Sequence, residues 1–345
     1  MPVTDTVGMF ALAEVFPEQV EAAFERSASV TGLPAREDIE NIVVMGMGGS
    51  GMAGMVLAAS ASPFLAVPIT LVQGYECPHF VGESSLVFAV SASGGTEETI
   101  EAASDAALAG AKMVVVTGGG ELARLARSWR APLLEVPSDI PQPRAALGAM
   151  AVPMLVVLWR MGLVAAADQW IGRAAEQLRR RRDELAGEGD ASAAAQVASR
   201  IGATVPVVHG GGQLGSVAAR RWQTQVNENA KRLAFSSAQP ELCHNEICGW
   251  TESAKDIGKL LSVVMLRHDG EHPQVGRRFD IAALLVEPLV NDVIEVRAQG
   301  DGDLAQLLDL IYFGDYVSLW LAAQAGVDPG PVDLLTSIKR QLAGG

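Results

Sequence analysis

Cysteine is scarce: Cys77, Cys243 and Cys248 are the only three in 345 residues. An odd and sparse set excludes a disulfide-framed secreted scaffold and fits a reducing compartment, so a cytoplasmic location is expected. Basic charge is also short, with 26 Lys and Arg against 40 Asp and Glu and a formal net charge of -14. Such a surface repels nucleic acid and anionic membranes, both of which select basic patches, and neither is expected as a partner. A small phosphorylated metabolite stays admissible, because a few local amides and cations bind it whatever the global charge. The opening M-P-V-T-D-T-V-G-M-F lacks a basic stretch followed by an apolar core, so no secretory signal is read there. The one long apolar stretch, Ala145 to Ala167, has a spanning length but holds Pro153 and Arg160 near its middle. A buried helix is expected rather than a membrane span.

What is present is 49% hydrophobic residues, enough to fill two cores of ordinary size. The segment I-V-V-M-G-M-G-G-S-G at 42–51 passes from a β-branched run into glycines and then into the helical M-A-G-M-V-L-A-A-S. V-P-V-V-H-G-G-G-Q-L-G-S-V-A-A-R at 205–220 has the same form, with Val44 and Val208 in equivalent places. The two units lie roughly 160 residues apart, which indicates a distant internal duplication and is far too long a period for a solenoid. Further apolar runs at 68–72, 86–90, 113–117 and 133–136, then at 262–266 and 293–297, predict strands alternating with helices. That alternation implies parallel sheets covered on both faces, closed at the end by an apolar helix from Leu304. Between the halves, Arg179, Arg180, Arg181 and Arg182 lie on a charged helix that runs into a Gly/Ser/Ala linker. Their neighbours Glu176, Asp183 and Glu184 predict a solvated helix face rather than a nucleic-acid patch.

Gly46, Gly48 and Gly51 satisfy G-x-G-x-x-G after a strand, the dinucleotide fingerprint. That reading needs an acidic side chain closing the second strand, yet Val72 is followed by Gln73 and Gly74, with Glu76 further into the loop. A nicotinamide-dependent dehydrogenase therefore rests on the glycines alone. Residues 91–99, S-A-S-G-G-T-E-E-T, directly follow the strand-like L-V-F-A-V. Amides and the positive helix dipole at such a place favour an anion, while Ser91, Ser93 and Thr96 add hydroxyls and Gly94 and Gly95 allow close backbone approach. A phosphate fits. The plainer alternative, Thr96 as a helix cap with Glu98 and Thr99 in the first turn, accounts for one hydroxyl of the three.

In the second half, W-Q-T-Q-V-N-E-N-A-K at 222–231 reads as helix, and His244 follows in E-L-C-H-N-E-I-C-G-W. Glu228 and His244 are the residue types that carry protons in enolisation beside a carbonyl. They read equally well as part of a surface helix and a buried, hydrogen-bonded histidine. Cys243 and Cys248 lack the spacing of a zinc knuckle, and Gly270 and Pro273 make a turn of the stretch holding His268 and His272. No metal is expected.

Taken together, the motifs resemble the bifunctional phosphoglucose/phosphomannose isomerases, two-lobed members of the sugar-isomerase (SIS) superfamily. The likeness runs through M-G-M-G-G-S-G near residue 46, S-x-S-G-x-T-E-E-T at 91–99, P-x-P-R-A-A-L-G at 141–148, N-E-N-A-K at 227–231 and H-N-E-I-C-G-W at 244–250. It ends in G-D-Y-V-S-L-W-L-A, V-D-P-G-P-V and Lys339. The resemblance implies an α/β fold of two SIS-type lobes, each a parallel sheet flanked by helices in three layers with flavodoxin-like strand order. The lobes would be 1–155, carrying the phosphate-binding loops, and 196–345, carrying the catalytic Glu and His, joined by helices and a linker at 156–195.

The activity implied is metal-independent, cofactor-free interconversion of glucose 6-phosphate or mannose 6-phosphate with fructose 6-phosphate through an enediolate. By position, Gly49, Ser50, Ser91, Ser93 and Thr96 would hold the phosphate. Glu228 would shuttle the proton between C1 and C2, Arg144 would stabilise the enediolate, and His244 and Lys339 would assist ring opening. In this family the histidine reaches the neighbouring subunit's site, so a homodimer is implied. The chemistry agrees: a fixed guanidinium stabilises charge that develops on oxygen only in the transition state, and a partly desolvated carboxylate suits proton transfer between adjacent carbons. The chain departs from the family pattern at Ala92 and Gly95, where an aromatic ring and an amide are usual. It departs again at Cys243, an asparagine elsewhere, and at Gly330, a threonine elsewhere that helps accommodate both C2 epimers. A non-catalytic sugar-phosphate sensor is the alternative those departures leave.

Overall fold

Ile42, Val43 and Val44 are β-branched and at most 2% exposed, the condition under which a continuous apolar run becomes an interior strand. They form β1 (Asn41–Met45), followed by β2 (Ile69–Val72), β3 (Ser85–Ser91), β4 (Lys112–Thr117) and β5 (Leu133–Glu135). All pair in parallel, in the order β2-β1-β3-β4-β5. This is the flavodoxin-like order, expected above. A second parallel sheet holds β6 (Val205–Gly211), β7 (Phe235–Gln239), β8 (Leu261–Arg267) and β9 (Asp292–Arg297) in the order β7-β6-β8-β9. It repeats the same topology with one strand fewer. β7, F-S-S-A-Q, is not predicted by the sequence, because it is an edge strand whose only large apolar residue, Phe235, is exposed.

The computed structural model describes residues 4–185, 187 and 192–343. Of the expected Gly/Ser/Ala linker, residues 186 and 188–191 lie outside the described residues.

The chain divides into two compact units. One comprises Val15–Arg181 and Ala298–Asp309. Its core packs Val43, Met45, Val87, Ala89, Val115 and Leu122 between sheet and helices. The stretch around Pro153 is a buried helix, Leu147–Arg160, and among the described residues no helix is long and apolar enough to cross a membrane. Of the four arginines, Arg180 behaves as a solvated side chain paired with Glu176 at 2.9 Å. Arg181 departs from that expectation: it is 5% exposed and pairs with the fully buried Asp309 at 3.3 Å.

The other unit holds the described residues of Met1–Glu14, Arg182–Arg297 and Leu310–Gly345. Val207, Val263, Met265, Phe279 and Val286 form the core on one side of its sheet. Trp222 is fully buried, donates its indole N–H to the Leu310 carbonyl at 2.8 Å and stacks on Phe313. Phe10 meets Tyr316 and Trp320 edge-on, with centroids 6.4 and 5.3 Å apart, which places the first described helix in this unit. Such pairs add about 0.5–1.5 kcal/mol beyond their buried area.

In each sheet the chain leaves the first strand in one direction and the third in the other, so a crevice opens at the carboxyl ends of β1 and β3 and of β6 and β8. Ligands of open α/β sheets bind at such switch points.

Candidate active site

At the first switch point, β1 runs into the helix Gly48–Ala61 and β3 into the helix Glu97–Leu108, so two helix amino termini with their unpaired amides converge there. Ser50, 5% exposed, accepts a hydrogen bond from the Ala92 amide at 3.3 Å, which joins the two loops. Ser91 is fully buried; its Oγ accepts from the Gly94 amide at 3.1 Å and lies 2.8 Å from Thr96 Oγ1. Ser93 is exposed and accepts from the Gly95 amide at 3.3 Å. Thr96 occupies the N-cap position, yet its side chain makes no cap bond and is turned to Ser91 instead. The capping alternative therefore fails even for the one hydroxyl it covered.

The loop has no slack. Gly94 has φ +67°, and a Cβ there would lie 1.8 Å from the Gly119 carbonyl oxygen. The same loop is tied to its neighbour by Gly118 N–H to Ala92 O at 3.0 Å and Leu122 N–H to Gly94 O at 2.9 Å. Gly49 admits a second close approach, since a Cβ on it would meet the Pro143 carbonyl oxygen at 3.0 Å and Arg144 Cα at 3.4 Å. The 3-10 turn Pro143–Ala145 thus lies against the start of the helix, and Arg144, 3% exposed, donates from Nη1 to Gln142 Oε1 at 2.8 Å. The structure brings Gly49, Ser50, Ser91, Thr96 and the Arg144 turn into one constellation of hydroxyls, amides and a guanidinium within a single unit. Gly95 has open space at its Cβ position. Gly95→Asn is accordingly expected to leave the melting temperature unchanged or higher, checked by thermal unfolding.

Glu228 lies in the last turn of the helix Gly212–Asn229 and is half-buried. It lines a cavity of about 730 Å³ together with Lys231, Arg232, Leu233, Asp328 and Leu335. The surrounding motif is not a surface helix. Asn229 is 1% exposed and donates to Ser318 Oγ at 2.9 Å, and Asn227 Oδ1 accepts the Ala234 amide at 3.0 Å. Lys231, in the left-handed region at φ 55°, donates from Nζ to the carbonyls of Glu228 at 2.6 Å and Pro329 at 3.1 Å. A lysine capping the last carbonyls stabilises a helix end, and here it fixes the backbone that carries Glu228.

Gly330 is buried beside the same loop, and a Cβ there would lie 2.4 Å from Val7 Cγ2. The isopropyl group of Val7 fills the room a threonine would use. Gly330→Thr alone is expected to destabilise by about 1–3 kcal/mol through overpacking, and Val7→Ala in the same chain to restore most of it, measured by denaturant unfolding. Lys339 is exposed on the helix Asp333–Ala343.

His244 ends the 3-10 turn Glu241–His244 and is exposed, so the buried-histidine reading does not hold for it. The buried histidines are His268, whose Nε2 lies 2.9 Å from Gly211 O, and His209. His272 caps the helix Pro273–Val286 by accepting the Gln274 amide at 3.1 Å, as the turn reading required. Among the described residues no group of three or more His, Cys, Asp or Glu is placed to hold a metal ion.

Glu246 is an ionisable group of this region that no spacing in the sequence marks. Its Oε1 lies 2.8 Å from His209 Nε2 and its Oε2 accepts from Ser237 Oγ. Burial alone would raise its carboxyl, but the hydrogen bonds and charge of His209 and the Ser237 bond outweigh it and hold the group below the usual carboxylate range. A depressed folded value means the stabilisation is complete above the ordinary glutamate value and is lost as the pH falls through the lowered one. Glu246→Gln is therefore expected to have a flatter acid limb in a plot of melting temperature from about pH 7 to 3.

Residues 190–342 match the model of the bacterial phospho-glucose isomerase C-terminal SIS domain. The C-terminal domain of glucosamine-fructose-6-phosphate aminotransferase from Francisella tularensis superposes with a TM-score of 0.69 over 93% of this chain and 96% of that one, at 16% identity. The class is thus the two-lobed SIS fold. The bifunctional phosphoglucose/phosphomannose isomerase of Caldicellulosiruptor bescii is 34% identical over 337 residues, 97% of this chain and 99% of the relative. That of Aquifex aeolicus is 32% identical over 88% of this chain and 90% of its own. This chain belongs to the bifunctional phosphoglucose/phosphomannose isomerase family.

Proposed function

We propose that the protein is an aldose–ketose isomerase that interconverts glucose 6-phosphate and mannose 6-phosphate with fructose 6-phosphate, without a metal or organic cofactor. The observation that carries the reading is kinship along 97% of the chain to a protein of that dual activity. The cluster of Ser50, Ser91 and Thr96 hydroxyls at a sheet switch point supports it.

In this reading Gly49, Ser50, Ser91, Ser93 and Thr96, with the amides at the two helix starts, bind the phosphate ester. The loop amides of Ala92, Gly94 and Gly95 donate to hydroxyls, which an ester oxygen can replace as acceptor. Binding energy at the ester, remote from the reacting carbons, orients C1 and C2. His244 and Lys339 move the protons that open the pyranose ring, one leaving the anomeric hydroxyl and one reaching the ring oxygen. Glu228 then takes the proton from C2 of the aldose, the electron pair forms the C1–C2 double bond, and charge gathers on O1. The Arg144 guanidinium stabilises that charge more in the transition state than in the substrate. The proton of the C2 hydroxyl passes to O1, the electrons left on O2 form the C2 carbonyl, and Glu228 returns its proton to C1, giving the ketose.

The reading extends to a cytoplasmic homodimer in which His244 serves the partner's site. The apolar face of the helix Asp333–Ala343, with Leu334 84%, Ile338 57% and Leu342 71% exposed in the single chain, supports association. The test is direct: protein treated with EDTA is given each hexose 6-phosphate and fructose 6-phosphate is assayed. Turnover of both is expected, and turnover of neither rejects the reading.

A further inference from the structure

Two residues beyond His244 in H-N-E, the Glu246 side chain is directed to the sheet. His209 on β6 and Ser237 on β7 are register partners, so their side chains leave the same face of the sheet, and both reach this one carboxylate. His209 is 1% exposed, and its Nδ1 is buried with no hydrogen-bond partner. Nε2 is thus the ring nitrogen that faces the carboxylate and donates to it. The backbone around the carboxylate is held as well. The Glu246 amide donates to Asn245 Oδ1 at 2.6 Å, Asn245 Nδ2 donates to Glu241 Oε1 at 2.8 Å, and Leu242 is 1% exposed. The turn that ends in His244 is thereby fixed at its start by Leu242 and just beyond its end by Glu246, while the imidazole itself is exposed.

We propose that Glu246, gripped by His209 and Ser237, is a positioning residue for the isomerase: it fixes the backbone from which His244 projects and acts on the reaction only through His244. The proposal rests on the ring-opening role given to His244 above. A helix can be held on a sheet by apolar packing alone, and replacing buried ionic groups by apolar ones is often neutral for stability. A two-point hydrogen-bonded clamp fixes direction, which a general acid–base group within hydrogen-bond reach of its proton requires.

The experiment is a double-mutant cycle on the full-length protein, with steady-state kinetics on glucose 6-phosphate and a melting curve for each variant. Glu246→Ala is expected to lower kcat by about 30-fold with KM changed less than about threefold, and to lower it less than about twofold further when His244 is already Ala. His209→Gln, which keeps an N–H for the carboxylate, is expected to lose less than His209→Ala. Equal losses from Glu246→Ala in the parent and in the His244→Ala background would overturn the proposal, as would parent-like kcat in Glu246→Ala. Should Glu246→Ala fail to fold, Ser237→Ala removes one hydrogen bond and no charge. Its several-fold loss of kcat is expected to vanish in the His244→Ala background, and its persistence there overturns the proposal. Unchanged kcat in His244→Ala itself would instead remove the ring-opening assignment, and the proposal with it.

Discussion

Replacing Glu228 by Gln is expected to lower kcat by about 10³-fold or more while leaving KM for either hexose 6-phosphate within about threefold. The amide has the shape of the carboxylate and no basicity, so it can occupy the place without taking the proton from C2. Little else should change. Lys231 donates to the Glu228 backbone carbonyl, which the substitution keeps, and Asn229 and Asn227 hold the helix end through their own amides. A volume-conserving change at a half-buried position costs little stability, so the melting temperature should stay within a few degrees. The split between kcat and KM is the informative part. Ground-state affinity is assigned to the ester loops, and those are untouched by the substitution. A Glu228→Gln protein retaining a tenth of the parental kcat would remove the carboxylate from the reaction.

Gly94→Ala should do the opposite and act through binding. The residue is left-handed, where an L side chain costs about 1–2 kcal/mol by itself. The larger cost is steric, because the new methyl would fall 1.8 Å from the Gly119 carbonyl oxygen, a backbone atom that cannot swing aside. Either loop must move, and the Gly94 unit carries both the amide bonded to Ser91 Oγ and the carbonyl bonded to the Leu122 amide. The Ser91–Thr96 pair loses its alignment with it. A loss of about 100-fold or more in fructose 6-phosphate affinity is expected by calorimetry, equivalent to two charge-assisted hydrogen bonds. Gly95→Asn, one residue further along the same loop, has open space and should bind as the parent does.

Every strand but β7 was legible in the sequence, including the partly buried β2, β5 and β9, and most plainly those decided by burial. β1, β3, β4 and β8 are apolar runs with nearly every residue interior, and the helical stretches between them require parallel crossovers. β7 was not legible, because F-S-S-A-Q has no burial pattern of its own. It becomes a strand by pairing with β6, with Ser236 bonded to Gln223 and Ser237 to Glu246, contacts made across the fold. The loop at 91–96 could be singled out by composition, three hydroxyls and two glycines after a strand. That Thr96 would bond Ser91 rather than cap its helix is a choice between two local partners that no spacing decides. The same holds for the histidines. His209 and His244 each follow an apolar or turn segment, and only the register of β6 with β7 puts His209 against Glu246 and leaves His244 in solvent. Arg181 likewise sits among solvated charges in the sequence, and its partner Asp309 comes from a segment far along the chain.

The account turns on proton transfer through an enediolate. EDTA-treated protein incubated with glucose 6-phosphate in deuterated water, followed by NMR, tests it most directly. Fructose 6-phosphate carrying solvent deuterium at carbon 1 is the result it predicts, with mannose 6-phosphate feeding the same product. No ketose from either sugar, or ketose formed with the C2 hydrogen fully retained at carbon 1 under all conditions, would contradict it.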